Sequence, residues 1–289
     1  MSVVGVVAIT LHADDRALAN GEWRYYSGDN GARKYSPLDQ ITRANVSALR
    51  IAWRRPHIDP TLVAGATNLR LSNNFRSTPI MVNGVLYASN AVGLVEAFDP
   101  STGKTLWLQK AGADGLRGTS NRGVAYWGEG AEARIITFRN QRLYALDPKT
   151  GEPIASFGTG GSVNLNDGLG PLSRGYLWNS APLVARDVIV MGSAMVDQDS
   201  ATKVEGDPGN VRAFDVRTGK LRWTFHVVPQ EGDPALKTWK GDAWRYTGAG
   251  NVWALMSADD DLGYVYLPTT SPSPPSHPPS IARASRRAT

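Results

Sequence analysis

The chain has 289 residues, with 30 glycines, 18 prolines, 9 tryptophans and 10 tyrosines, a balance that suits an all-β domain of short strands joined by many turns. Its net charge is +5, and Arg283, Arg286 and Arg287 at the C-terminal end carry three of those charges, so the body is near neutral and offers no basic stripe to a nucleic-acid backbone. There is no cysteine, which excludes disulfides, thiolate catalysis and Cys-ligated zinc or iron–sulfur centres.

Residues 1–20 form an N-terminal segment whose apolar run from Val3 to Leu11 is too short to span a bilayer and lacks a basic leader. It reads as a degraded or mis-started signal peptide, or as a disordered terminus. "RIAWRRP" (50–56) reads as one lone strand. Three related stretches follow: "VEAFDPSTGKTLW" (95–107), "LYALDPKTGEPIASF" (143–157) and "VRAFDVRTGKLRWTF" (211–225). Each carries Asp-x-x-Thr-Gly between apolar runs, with Asp99, Asp147 and Asp215 leading the turn and Gly103, Gly151 and Gly219 closing it. This is a β-hairpin: the glycine accepts a positive φ and the Asp and Thr side chains bond the turn backbone. A trailing aromatic, Trp107 or Trp223, is placed to lie flat between neighbouring sheets; Ala155 stands there in the middle copy.

Each copy is preceded by another hairpin-like pair: "STPIMVNGVLYASN" (77–90), "RGVAYWGEGAEARIITFRN" (122–140) and "SAPLVARDVIVMGSAM" (180–195). A fourth such pair, "NVWALMSADDDLGYVYLPT" (251–269), begins a further unit. Two hairpins make a four-stranded sheet, and sheets repeated every ~40–50 residues mark a β-propeller. The expectation is about three and a half blades across 21–269, with the ring incomplete. The longer gap before the third copy predicts an inserted loop, "VDQDSATKVEGDPGN". Residues 270–289 turn to Ser, Pro and Arg and read as a disordered tail, consistent with a gene read out of frame.

Few motifs carry chemistry on their own. There is no serine elbow, P-loop or zinc helix, and the four histidines share no ligand spacing. Asp259–Asp261 in "SADDDLG" lack the oxygen spacing of an EF-hand and read as a hairpin turn. Asp197 ends an apolar strand and is either a cation ligand beside the propeller axis or a loop residue. Trp253, after Gly-Ala-Gly, is either a stacking platform or blade packing.

Taken in order, "GEWRYYSGDNGARKYSPLDQITRANVSALRIAW", "STP", "VNGVLYAS", "NRGVAYW", "SAPLVARDVIVMGS", "RAFDVRTGKLRWTF" and "TGAGNVWALMSADDDLGYVYLPT" resemble the pyrroloquinoline-quinone (PQQ)-dependent dehydrogenases, nearest the membrane-associated glucose/alcohol dehydrogenase branch. The resemblance implies an eight-bladed propeller holding PQQ and a divalent cation, Ca²⁺ or Mg²⁺, near its axis. It further implies a sugar or alcohol substrate, a quinone or cytochrome electron acceptor, a periplasmic location, and membrane association through a segment outside this chain. By position in the motifs it assigns Arg122, Asn179, Ser180, Asn251 and Trp253 to the cofactor and Asp197 to the metal. Leu116 and Arg117 stand where methanol-oxidising relatives carry adjacent cysteines, and Arg76 where some members carry a glutamate. The blade bearing the catalytic aspartate has no counterpart here, so the chain is expected to be a truncated, inactive portion. The alternatives are a non-catalytic propeller scaffold and a non-functional gene fragment.

Overall fold

The computed structural model describes residues 18, 20–64, 69, 71, 74–112, 115–119, 121–169, 176–195 and 207–272. The inserted-loop region lies largely outside them: Asp197 is not described, and only 207–210 of that loop are. The first blade is β1 (Ile80–Val82), β2 (Val85–Ser89), β3 (Val95–Phe98) and β4 (Thr105–Leu108), antiparallel and in chain order. The second is β5 (Ala125–Trp127), β6 (Arg134–Arg139), β7 (Arg142–Leu146) and β8 (Ser162–Asn164). The strands β9 (Tyr176–Leu177) and β12 (Ala194–Met195) pair beside the third blade. That blade is β10 (Leu183–Ala185), β11 (Val188–Met191), β13 (Val211–Asp215) and β14 (Leu221–Phe225). A last hairpin, β15 (Ser257–Asp259) and β16 (Tyr264–Tyr266), is half a blade. This is an all-β, open arc of a propeller, as the repeats predict.

The hairpins form for local reasons. Asn83 and Gly84 both take positive φ (50° and 77°), the pairing that a tight primed turn between β1 and β2 requires. In the Asp-x-x-Thr-Gly turns, Asp99 Oδ1 accepts from the backbone N–H groups of Ser101 (2.9 Å) and Thr102 (2.8 Å). Asp215 Oδ1 does the same for Arg217 (3.1 Å) and Thr218 (2.8 Å).

Two sequence expectations are corrected. The stretch 50–56 forms no strand; it is held by side chains, with Trp53 Nε1 donating to Pro100 O at 2.9 Å. In the middle repeat, the outer strand is not 152–157 but β8, after a turn, because Pro153 has no N–H to offer a ladder and bridges only to Leu146.

The core is layered between blades. Ile80, Val82 and Ala97 of the first blade meet Val124, Tyr126 and Ile135. Ile136, Phe138 and Leu143 of the second meet Val184, Ile189 and Phe214. Val190 and Val211 of the third meet Val252, Met256 and Ala258. The fourth strand of each blade is the most exposed, so the first strands line the inner side of the arc.

Segments just ahead of the first strands are stitched together. Thr78 N donates to Arg122 O (2.8 Å), and Arg122 N donates to Asn179 O (3.0 Å). Gly123 permits this approach, since a Cβ there would lie 3.1 Å from Thr78 O. At the opposite end of the strands an N-terminal strap crosses the arc. Trp23 exchanges backbone hydrogen bonds with Met81 of the first blade. Seven residues on, Asn30 Nδ2 donates to Val184 O (2.9 Å) and Asp260 Oδ2 (2.7 Å), and its carbonyl accepts from Ala258 N (2.8 Å).

Candidate functional site

The stitched end of the arc gathers five of the sequence-predicted residues, Arg122, Asn179, Ser180, Asn251 and Trp253. Arg122 and Asn179 are joined through their backbones, as above. Ser180, buried, donates its hydroxyl to Ala254 O at 2.8 Å, which ties the third blade to the loop that carries Trp253. The Arg122 guanidinium carbon lies 5.2 Å from the centroid of the Trp253 ring, a cation–π contact across blades two and four.

Trp253 is 43% exposed although its neighbours Asn251 and Val252 are buried. Tight packing beneath it sets this position. A Cβ on Gly192 would lie 2.2 Å from Val252 O, and one on Gly209 2.3 Å from Asn251 Cβ, so only glycine lets the loop lie against the third blade. Ala249 and Gly250 take positive φ (55° and 67°) and turn the chain into that groove. Asn251 clamps it: Nδ2 donates to Ser193 O (2.9 Å), and Oδ1 accepts from the Thr270 hydroxyl (2.9 Å). Thr270 N also donates to Asn251 O (2.9 Å) and Pro272 bridges to Ala249, so the first residues of the stretch read as a tail are tied to this loop. Both functions of the Asn251 amide are therefore engaged within the protein.

Among the described residues, two buried polar atoms at the site have no partner: Arg122 Nε, a donor, and Asn179 Oδ1, an acceptor. Burying such groups unpaired costs ~1–3 kcal/mol each. A flat, exposed indole beside an unused buried donor and acceptor is the arrangement that receives a planar, polar-edged ligand. The buried and equally unpartnered Ser193 Oγ, Asn210 Oδ1 and Thr247 Oγ1 were not singled out by sequence reasoning. The one available signal was a polar Ser inside the apolar run "VIVMGSAM". Nearby, burial pushes the Tyr176 phenol up to about 12, so it stays neutral and its hydroxyl donates to Pro208 O.

Other predicted features fall elsewhere. Asp259–Asp261 do turn a hairpin; Asp260 Oδ1 accepts from Arg186 N (3.0 Å) at the end of the arc away from Trp253. Arg76 Nε donates to Asn74 Oδ1 (2.7 Å). Among the described residues no three His, Cys, Asp or Glu side chains are grouped to hold a metal, and no helix is long and apolar enough to cross a membrane.

The fold is an open arc of antiparallel four-stranded blades, with the Trp253 ring and the Arg122 guanidinium in contact at one end of it. The family model "PQQ: Glucose/ethanol/alcohol dehydrogenase, beta-propeller domain" matches residues 23–277, and the chain belongs to that family. It is 32% identical over 292 residues to a quinohemoprotein alcohol dehydrogenase of Pseudomonas putida, covering 93% of this chain and 37% of the relative. It is 32% identical to a quinate/shikimate dehydrogenase (quinone) of Acinetobacter baylyi, covering 90% of this chain and 34% of the relative. The quinohemoprotein alcohol dehydrogenase structure from Comamonas testosteroni superposes with a TM-score of 0.68 at 26% identity, covering 90% of this chain and 37% of that one. The chain thus spans about a third of the length of the curated relatives it matches.

Proposed function

We propose that this chain forms one wall of a PQQ site in a dehydrogenase that oxidises a small alcohol or sugar and passes the electrons to a quinone or cytochrome. The observation that carries the reading is the exposed Trp253 ring under Arg122, with Arg122 Nε and Asn179 Oδ1 buried and unpartnered. These residues fit the cofactor: PQQ is planar, has carboxylate and quinone oxygens for a guanidinium, and has a ring N–H for an amide oxygen.

When bound, PQQ supplies the two-electron acceptor chemistry. Trp253 offers a flat apolar face that excludes water from one side of a bound ring. Arg122 offers charge-assisted N–H donors, the kind that stabilise developing negative charge without reorganising. Asn179 fixes orientation through its amide. Ser180 and Asn251 are positioning residues: Ser180 anchors the Trp253 loop to the third blade, and Asn251 clamps that loop from below. Asp197 would hold Ca²⁺ or Mg²⁺ as a hard-oxygen ligand. We place the whole enzyme in the periplasm.

Calorimetric titration of PQQ into the chain, with and without Ca²⁺, tests the assignment. The expected result is saturable binding strengthened by Ca²⁺, with the Ca²⁺ effect abolished in Asp197→Ala. Absence of binding under both conditions overturns it.

A further inference from the structure

A cavity opens on the same end of the arc as Arg122. Ala125 pairs with Ile136 and Asn121 Nδ2 donates to Phe138 O at 2.6 Å, which brings the β6–β7 turn at 140–141 level with the residues ahead of β5. Beside that turn lies a pocket of about 320 Å³ lined by Arg117, Asn140, Gln141 and Arg142. Every one of these side chains is polar and two are cationic.

Arg142 is held in place, with Nε and Nη2 donating to Ser162 Oγ at 3.0 and 2.7 Å. A neutral hydroxyl does not balance its charge. Arg24, Arg33, Arg55, Arg217 and Arg222 each meet a carboxylate, whereas neither Arg117 nor Arg142 does among the described residues. Two arginines lining one cavity, neither balanced by a carboxylate among the described residues, concentrate counter-charge there. Their fork of N–H donors matches the geometry of a carboxylate or phosphate group. The volume suits a ligand of metabolite size.

We propose that this pocket binds one small oxyanion, the carboxylate or phosphate group of a metabolite, between Arg117 and Arg142. The inference does not depend on the PQQ reading.

The test is calorimetric titration of the full chain with sodium phosphate and, separately, sodium succinate, at ionic strength held constant with sodium chloride. Saturable binding of at least one anion is expected, weakened about tenfold or more in Arg117→Gln and in Arg142→Gln and unchanged in Lys240→Gln. Binding of phosphate alone assigns a phosphoryl group, and binding of succinate alone a carboxylate; either supports the site. Arg117 is exposed, so Arg117→Gln keeps the test open even if Arg142→Gln loses its fold with the Ser162 contact. Heats no greater than the chloride control, or wild-type affinity in Arg117→Gln, overturn the proposal.

Discussion

The indole N–H of Trp107 donates to Pro148 O at 2.8 Å, from the outer strand of one blade to the Asp-x-x-Thr-Gly turn of the next. Trp53 repeats the relationship with Pro100 O at 2.9 Å. In both cases the ring lies on the turn glycine: a Cβ on Gly103 would be 2.6 Å from Trp53, and one on Gly151 2.4 Å from Trp107. Trp53 therefore does the work of an outer strand although 50–56 is not one. Trp223, the equivalent in the third blade, is 37% exposed and meets no such turn among the described residues.

Gly151→Ala is the direct probe of this docking. Gly84 shares its positive φ (77° against 73°) but has open space around it. Gly84→Ala thus reports the backbone strain alone, and Gly151→Ala adds the clash with Trp107. The second variant should lose ~1–3 kcal/mol more in urea unfolding. Equal losses would show that the indole does not seat on the turn.

The chain should lose stability in acid through these same turns. Hydrogen bonds from the Ser101 and Thr102 side chains, then from the Thr102 backbone, hold Asp99 down to about 2 from its ordinary 3.8. The folded value lies below the unfolded one, so the contribution is complete above pH 3.8 and is lost as pH falls toward 2. Burial pushes Asp215 up, but the Thr218 hydrogen bonds, the Arg217 backbone hydrogen bond and the charge of Arg222 together outweigh it, so it too is shifted down. Asp99→Asn should flatten the dependence of melting temperature on pH between 4 and 2, and an unchanged slope would count against this role.

The Arg55–Glu96 pair is the ion pair to break. Glu96 is nearly buried and also accepts from Asn90 Nδ2 at 2.8 Å. Arg55→Ala leaves that carboxylate without its cation, at a cost of ~3–5 kcal/mol. Lys110→Ala removes an exposed pair with Glu152 and should cost less than ~1 kcal/mol. Chemical denaturation of both variants checks the ranking.

What was legible in the sequence was what is local. Asp99, Asp147 and Asp215 announce their turns because the capping partners lie two or three residues away. The half-blade at 251–269 was legible for the same reason. The outer strand of the second blade was not, because Pro153 and Ala155 break the repeat and β8 begins after an irregular turn. The strap was invisible too: Asn30 meets Asp260 across 230 residues, and no short pattern encodes such a contact. At the site, the motifs pointed to Arg122 and Trp253, but only the fold shows that they touch. It also shows that the Asn251 side chain braces the loop from within the protein.

The central claim is that Trp253 and Arg122 form one face of a PQQ site. Equilibrium dialysis of PQQ against the full chain with Ca²⁺, read by cofactor absorbance, tests it most directly. Saturable binding is expected, weakened about tenfold or more in Trp253→Ala and in Arg122→Ala, with melting temperatures near that of the parent chain. Binding of the same strength in both variants, or none in the parent chain, would contradict it.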